Sequence, residues 1–330
     1  MKRHLFSLLL ACGTVLNAHA ITYEVIDLGT ADGGRTSGAH GLNRDGVAVG
    51  WSRVDGYQRA CAFHGSSVVD LGTLGGNSSY ALAINARGDV VGWAENADYM
   101  PRAYLYRHGT MKELGTLGGN YSEAKSLNNV GQVVGVASTA AGDPHAFVWQ
   151  EGQMTDLGTL GGSRSHAFDI NGSGQIVGAS DTVPGSFVTQ AFVYEQGVMV
   201  GLGTLGGPES SAMSINNLGE IVGSSYRADG TNAPFLYRDG VMHDLGAPWP
   251  GASCLATSIN EHSEVVGFCQ NGPFVYRQGK LRMLEKLFDP VSSAGWSLRQ
   301  AYGINQDGEI VGTGRLDGKA RAYKLRPMQR

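Results

Sequence analysis

Two features of this chain have residue types and spacings that suggest chemistry. One is a glycine loop: "DLGTLGG" at 70–76 follows a short apolar strand, the setting in which such loops cradle a phosphate. It recurs as "ELGTLGG" at 113–119, "DLGTLGG" at 156–162 and "GLGTLGG" at 201–207. A phosphate needs one cradle and the chain offers four, so the stretch reads as architecture. The other feature is the acid that opens these loops: Asp27, Asp70, Glu113, Asp156 and Asp244. Five carboxylates invite an acid–base reading. Glycosidic chemistry needs two of them roughly 5–9 Å apart, and equivalent positions in separate repeats stand further apart than that. The expected role is a recurring hydrogen bond to a neighbouring repeat or loop.

The remaining reactive groups form no constellation. His145 and His166 lie in no H-x-x-x-H pattern and beside no C-x-x-C, so neither a metal nor another cofactor is expected. No G-x-S-x-G elbow presents a nucleophilic serine. Cys61 replaces an aromatic residue in a strand and reads as a buried core thiol. The net charge of −4, with charged residues at 16%, leaves no basic surface for nucleic acid.

Any site must therefore be positioned by the repeat itself. Its anchors are Asp27, Asp70, Glu113, Asp156, Gly201 and Asp244, with a degenerate seventh at Met283. Most steps are 43 residues, a period that suits a four-stranded propeller blade. Each unit has four strand-like parts: A-x-x-I-N, as in "ALAIN" (81–85); "VVG"; a small-aromatic-apolar-aromatic run, as in "HAFVW" (145–149); and the segment that ends in the acid. N-x-x-G joins the first two, with Asn opening the turn through its side chain and Gly at positive φ; "NEHS" (260–263) is the exception. Seven A-x-x-I-N strands end at Asn43, Asn85, Asn128, Asn171, Asn216, Asn260 and Asn305. The first fourth-type strand, "YEVIDLG" (23–29), precedes any hairpin, and the last unit lacks one. This predicts an all-β, seven-bladed β-propeller of four-stranded blades. The N-terminal strand completes the last blade, residues 23–28 pairing with 320–325. Residues 21–330 then form a single domain.

The motifs A-x-x-I-N, "VVG", "HAF" (145–147) and "DLGTLGG" resemble the repeats of a bacterial extracellular family named for the His-Ala-Phe triplet. "QAF" (190–192), "RAY" (102–104, 321–323) and "APF" (233–235) are its variants, and the resemblance covers essentially the whole chain after residue 20. The layout is also kelch-like, with the paired glycines after the fourth strand instead of the second. The resemblance implies an exported β-repeat protein and assigns no activity.

Residues kept in every blade serve the frame, so function is sought where the blades differ. The residue before each first-strand Ala varies: Gly38, Tyr80, Glu123, His166, Ser211, Leu255 and Gln300. After the paired glycines stand polar and aromatic residues, including Tyr121 and Arg164. These share the face of the glycine loops. Trp51 and Trp93, directly after "VG", read as packing between blades, whereas Trp249 sits between two prolines in a loop. Tyr80, Tyr121, Glu123, Arg164, His166 and Trp249 are the candidate ligand contacts. Flat rings beside hydrogen-bonding groups suit a sugar or a peptide. The preferred reading is a non-catalytic binding module for a glycan or protein ligand in the cell envelope or outside the cell. The alternative is a secreted hydrolase or lyase with its site at the channel mouth. A monomer is expected.

Residues 1–20 read as a signal peptide: basic "MKRH", an apolar core, then "NAHA" before cleavage. "LLAC" also resembles a lipoprotein box, so lipidation at Cys12 is a second, less favoured reading. No later segment has 18 apolar residues in a row, and no transmembrane segment is expected. Export permits disulfides. Cys254 and Cys269 are symmetric about the "NEHS" turn, which places them directly opposite on antiparallel strands; a disulfide is expected there, the alternative being two buried thiols.

Overall fold

The computed structural model describes residues 21–328 except 32–33, 66 and 186–187. The expected signal peptide and Cys12 lie outside the described residues. The chain forms seven four-stranded antiparallel sheets, the blades of a β-propeller. The inner strands are Ser37–Leu42, Gly75–Ile84, Gly118–Leu127, Ser165–Ile170, Gly206–Ile215, Cys254–Ile259 and Trp296–Ile304. Each meets its neighbours, the last meeting the first, around a central channel. Among the described residues the one helical segment is a single turn, Leu284–Leu287.

The N-terminal strand, Thr22–Asp27, closes the ring by joining Lys319–Met328. Its partners are Tyr323–Met328, so the expected stretch, 320–325, lies too close to the start of that strand. The frame fixes this register. In other blades the acid stands opposite the third-strand aromatic, as Asp156 does opposite Phe147 and Asp244 opposite Phe235. Asp27 takes the matching place opposite Tyr323.

The core is divided among the blade interfaces. Six of the seven third strands place a large, fully buried aromatic at the same position: Tyr104, Phe147, Phe192, Phe235, Phe274 and Tyr323. Cys61 fills that place in the first blade, wholly buried. Its thiol lies within hydrogen-bond distance of the Arg59 carbonyl.

A serine near the start of the inner strand ties successive blades together. The Ser79 hydroxyl donates to the Gly72 carbonyl at 2.6 Å and accepts from the Ala60 N–H at 2.8 Å. Ser37, Ser122, Ser165 and Ser210 repeat the pattern, accepting from Ala322, Ala103, Ala146 and Ala191. The serine is missing in two blades, where Cys254 and Arg299 stand. In both, the preceding third strand carries a proline, Pro234 or Pro273, at the donor position. Proline has no N–H to give, so the serine has nothing to accept there.

Cys254 and Cys269 face each other across the inner hairpin of the sixth blade. They form a disulfide with Cα atoms 4.1 Å apart. Its turn lacks glycine, and Ser263 adopts φ of 57° in its place, a conformation that non-glycine residues adopt at a cost. The disulfide closes a loop with a sequence separation of 15, for which the chain-entropy model gives about 3 kcal/mol. Replacing both cysteines by serine is expected to cost about that much in urea denaturation. A serine at 254 cannot restore the lost inter-blade bond, because Pro234 offers no donor. An unchanged midpoint would contradict this account.

Candidate functional site

The site begins with a backbone irregularity. In all seven inner strands the register slips between the Ala and the residue two further on, as between Ala39 and Gly41 or Ala124 and Ser126. The residue in between is the extra one of a β-bulge, which re-aims its side chain. The bulge also explains the glycine of "VVG". Gly92 lies opposite Ala81, and a Cβ on it would overlap the Tyr80 carbonyl oxygen. The same holds at Gly50, Gly135 and Gly178 with the carbonyls of Gly38, Glu123 and His166. A bulge in every blade thus demands a glycine in every blade.

The bulged residues differ from blade to blade and line the channel, with His40, Lys125, Phe168 and Tyr302 among them. They bound a chamber of about 200 Å³. Its wall is completed by small residues such as Ser126, Ser214 and Ser258, and by one carboxylate, Asp169.

Of the sequence-predicted contacts, Tyr80, Glu123 and His166 occupy equivalent positions in successive blades, half-buried beside this channel. The Tyr80 hydroxyl lies 2.8 Å from His40 Nε2. Burial, and then the nearby Tyr302, pushes the Tyr80 phenol well up, so it keeps its proton within the bond to the imidazole. His40 stacks on Tyr302 at 3.9 Å. Burial, and then the charge on Lys125, lowers it to about 4, so the ring is neutral near pH 7. The Tyr80 ring lies 6.3 Å from Trp51 and 6.4 Å from Trp93, nearly parallel to the latter. A Cβ at Gly38 would collide with the Trp51 indole, which is why that blade has glycine where its neighbour has Tyr80.

Tyr121 donates to Glu123 at 2.8 Å, and Lys125 pairs with the same carboxylate at 2.8 Å. His166 is lowered by burial and then by Lys125 and Arg164. Arg164 holds the buried Asp181 at 2.8 Å. Trp249 does not join this group. It packs on the apolar cluster of the sixth blade with Leu245, Ala252 and the two disulfide cysteines.

Sequence reasoning missed His40, Lys125, Asp169 and Tyr302. They occupy the two x positions of A-x-x-I-N, a motif read as frame. Their variation among the blades was the available signal. Asp169 bridges three blades: one carboxyl oxygen accepts from Ser126 Oγ and Ile170 N, the other from Ser214 Oγ and Ile215 N. Burial outweighs these four donors and raises its pKa.

The loop acids are structural. Asp70, Asp156 and Asp244 each accept from the glycine N–H two residues on. Several also pair with the first residue of the His-Ala-Phe triplet: Arg59 with Asp70 at 3.2 Å, Arg102 with Glu113 at 3.1 Å and His145 with Asp156 at 2.8 Å. In the fourth blade the basic residue is Gln190 and the acid is Gly201, so both charges are lost together. Among the described residues no group of three or more His, Cys, Asp or Glu converges as metal ligands would.

No family model matches the chain, and no curated protein sequence does. Solved structures similar to it include an oligogalacturonate lyase from Vibrio parahaemolyticus, with TM-score 0.50, 11% identity and coverage of 93% of this chain and 97% of that one. An acylaminoacyl peptidase from Pyrococcus horikoshii has TM-score 0.53 and 10% identity over 93% of this chain and 52% of its own. TolB from Acinetobacter baumannii has TM-score 0.45 and 14% identity over 92% of this chain and 63% of its own. At these identities the likeness shows the propeller fold alone, and the chain spans less than two thirds of TolB.

The depressed His40 pKa has a sign that can be checked. Unfolded histidine takes up its proton near pH 6.5, folded His40 only near 4. As pH falls between these values the unfolded state binds more protons and the fold loses stability. His40→Gln keeps an acceptor for Tyr80 and removes this linkage. The stability difference between wild type and variant is expected to shift by roughly 1–3 kcal/mol in the variant's favour from pH 7 to pH 4, allowing for screening by channel water. Denaturation midpoints at the two pH values measure it, and parallel pH profiles would refute it.

Proposed function

We propose that the protein is an exported, non-catalytic propeller that binds a glycan or protein ligand at the glycine-loop mouth of its channel. The observation that carries this reading is the half-buried Tyr80 ring, held between Trp51 and Trp93 as they pack across the blade boundary, beside the hydrogen-bonding row of Tyr121, Glu123 and His166. An apolar surface next to directional polar groups is what a small-ligand site presents. The resemblance of the repeats to the His-Ala-Phe family supports export. So does the disulfide.

The second reading, a secreted hydrolase or lyase, draws on the neutral His40 hydrogen-bonded to Tyr80. Two features weigh against it. His40 Nε2 is already engaged by the Tyr80 hydroxyl at 2.8 Å, and Asp169 is tied by four donors, with no second carboxylate among the described residues that line the chamber. Neither group is poised as a general base.

Alanine variants separate ligand contacts from frame. Tyr121→Ala and His166→Ala are expected to lose ligand binding while the melting temperature stays within a few degrees of wild type. Trp249→Ala is expected to cost about 1–3 kcal/mol, because its ring covers the sixth-blade core. A glycan array and calorimetry of each variant check this. Binding that survives both Tyr121→Ala and His166→Ala would contradict the placement of the site.

A further inference from the structure

The charges around the channel balance one another. Lys125 is met by Glu123 at 2.8 Å and Arg164 by Asp181 at 2.8 Å. Each oxygen of Asp169 already accepts two hydrogen bonds. The two histidines, His40 and His166, are both held towards the neutral form by burial and by Lys125. A charged ligand group entering here would leave water and find no free counter-charge, which is a losing exchange. Hydroxyls face no such penalty. Tyr121, Glu123 and His166 offer both donors and acceptors at the mouth, and Ser126, Ser214, Thr257 and Ser258 line the chamber beneath.

Shape narrows the class further. Tyr80 and Trp93 stack with 13° between their planes, and Trp51 meets Tyr80 across the blade boundary at 33°, so the Tyr80 ring is held rigidly at the channel. A rigid aromatic ring takes the flat C–H face of a sugar ring. The chamber's volume of about 200 Å³ falls below the roughly 300–1,000 Å³ of pockets for drug-sized ligands. It is too small for a folded partner.

From these observations, and resting on the binding reading above, we infer that the group recognised in this channel is an uncharged, hydroxyl-rich ring: a neutral sugar residue, stacked on Tyr80 with its polar edge towards Glu123 and His166. Because no ion pair forms or breaks, affinity is indifferent to salt, whereas binding of a charged ligand would fall with ionic strength.

The test is binding of the purified protein to immobilised neutral gluco-, galacto-, manno- and xylo-oligosaccharides, uronic-acid oligomers, sulfated glycans and unglycosylated peptides, at 50 and 500 mM salt. Tryptophan fluorescence in solution serves as the second readout. The expected result is binding to one or more neutral oligosaccharides with less than a twofold change between the two salts and a shift in tryptophan emission. Tyr80→Ser should weaken it at least tenfold. Should Tyr80→Ser fail to fold, Tyr121→Ala at the mouth serves instead, with the same expected loss. Binding confined to uronic-acid or sulfated chains, or to peptides, would overturn this inference and leave the binding reading standing. Cleavage of a bound oligosaccharide would overturn the binding reading in favour of the enzyme. No binding to any probe would overturn both.

Discussion

The structure depends on a ring of seven hydrogen bonds among the turn asparagines. Each donates from its side-chain Nδ2 to the main-chain carbonyl of the corresponding asparagine in the next blade: Asn43 to Asn85, Asn85 to Asn128, Asn128 to Asn171, Asn171 to Asn216, Asn216 to Asn260 and Asn260 to Asn305. Asn305 closes the circle on Asn43 at 3.3 Å. The other end of each amide is used too. Asn85 Oδ1 accepts from the N–H groups of Arg87 and Asp89, which holds its own turn. Only a side chain with a donor and an acceptor on one short stem does both. Aspartate lacks the donor, serine the second arm, and glutamine is a methylene too long. All seven are buried, where an unmade bond costs more than a made one contributes.

The ring sets the height of every inner strand, and the rest follows from that. Strands held at one level place their bulges at one level, and the bulges aim seven unlike side chains into a common channel. The frame is therefore uniform where the backbone must be matched and free to vary where side chains meet the channel. The serine bridges obey the same logic at the opposite end of the strands, present with a donor and absent with a proline. Cys254 and Cys269 occupy two positions that other blades give to small residues, such as Ser122 and Ala137, and the missing donor at Pro234 left Cys254 free to change.

Much of this was legible in the sequence because it is written seven times. The four-stranded blade, the closure by the N-terminal strand and the disulfide all follow from periodicity and turn symmetry, which need no knowledge of side-chain contacts. The candidate site was half legible. Tyr80, Glu123 and His166 could be found because they flank a fixed Ala. His40, Lys125 and Tyr302 were passed over despite varying among the blades, since a strict two-residue alternation assigns no special direction to the residue after that Ala; Asp169, one position further on, was passed over with them. The bulge that redirects it is a main-chain event, and its one trace in the sequence is the glycine on the facing strand. Trp249 stands apart from this group. Two flanking prolines suggested a presented ring, but the loop folds back over the apolar core of its blade.

The central claim is that the asparagine ring holds the frame, and Asn171→Asp addresses it most directly. The substitution keeps the oxygen that accepts from Ser173 and Gln175 and removes both donations of Nδ2, to the Asn216 carbonyl of the ring and to Gln175 Oε1 within its own turn. Urea denaturation at pH 7 should show a single transition, with stability lower by about 1–3 kcal/mol. A midpoint equal to wild type would contradict the claim, because it would mean that the ring bonds contribute nothing to the fold.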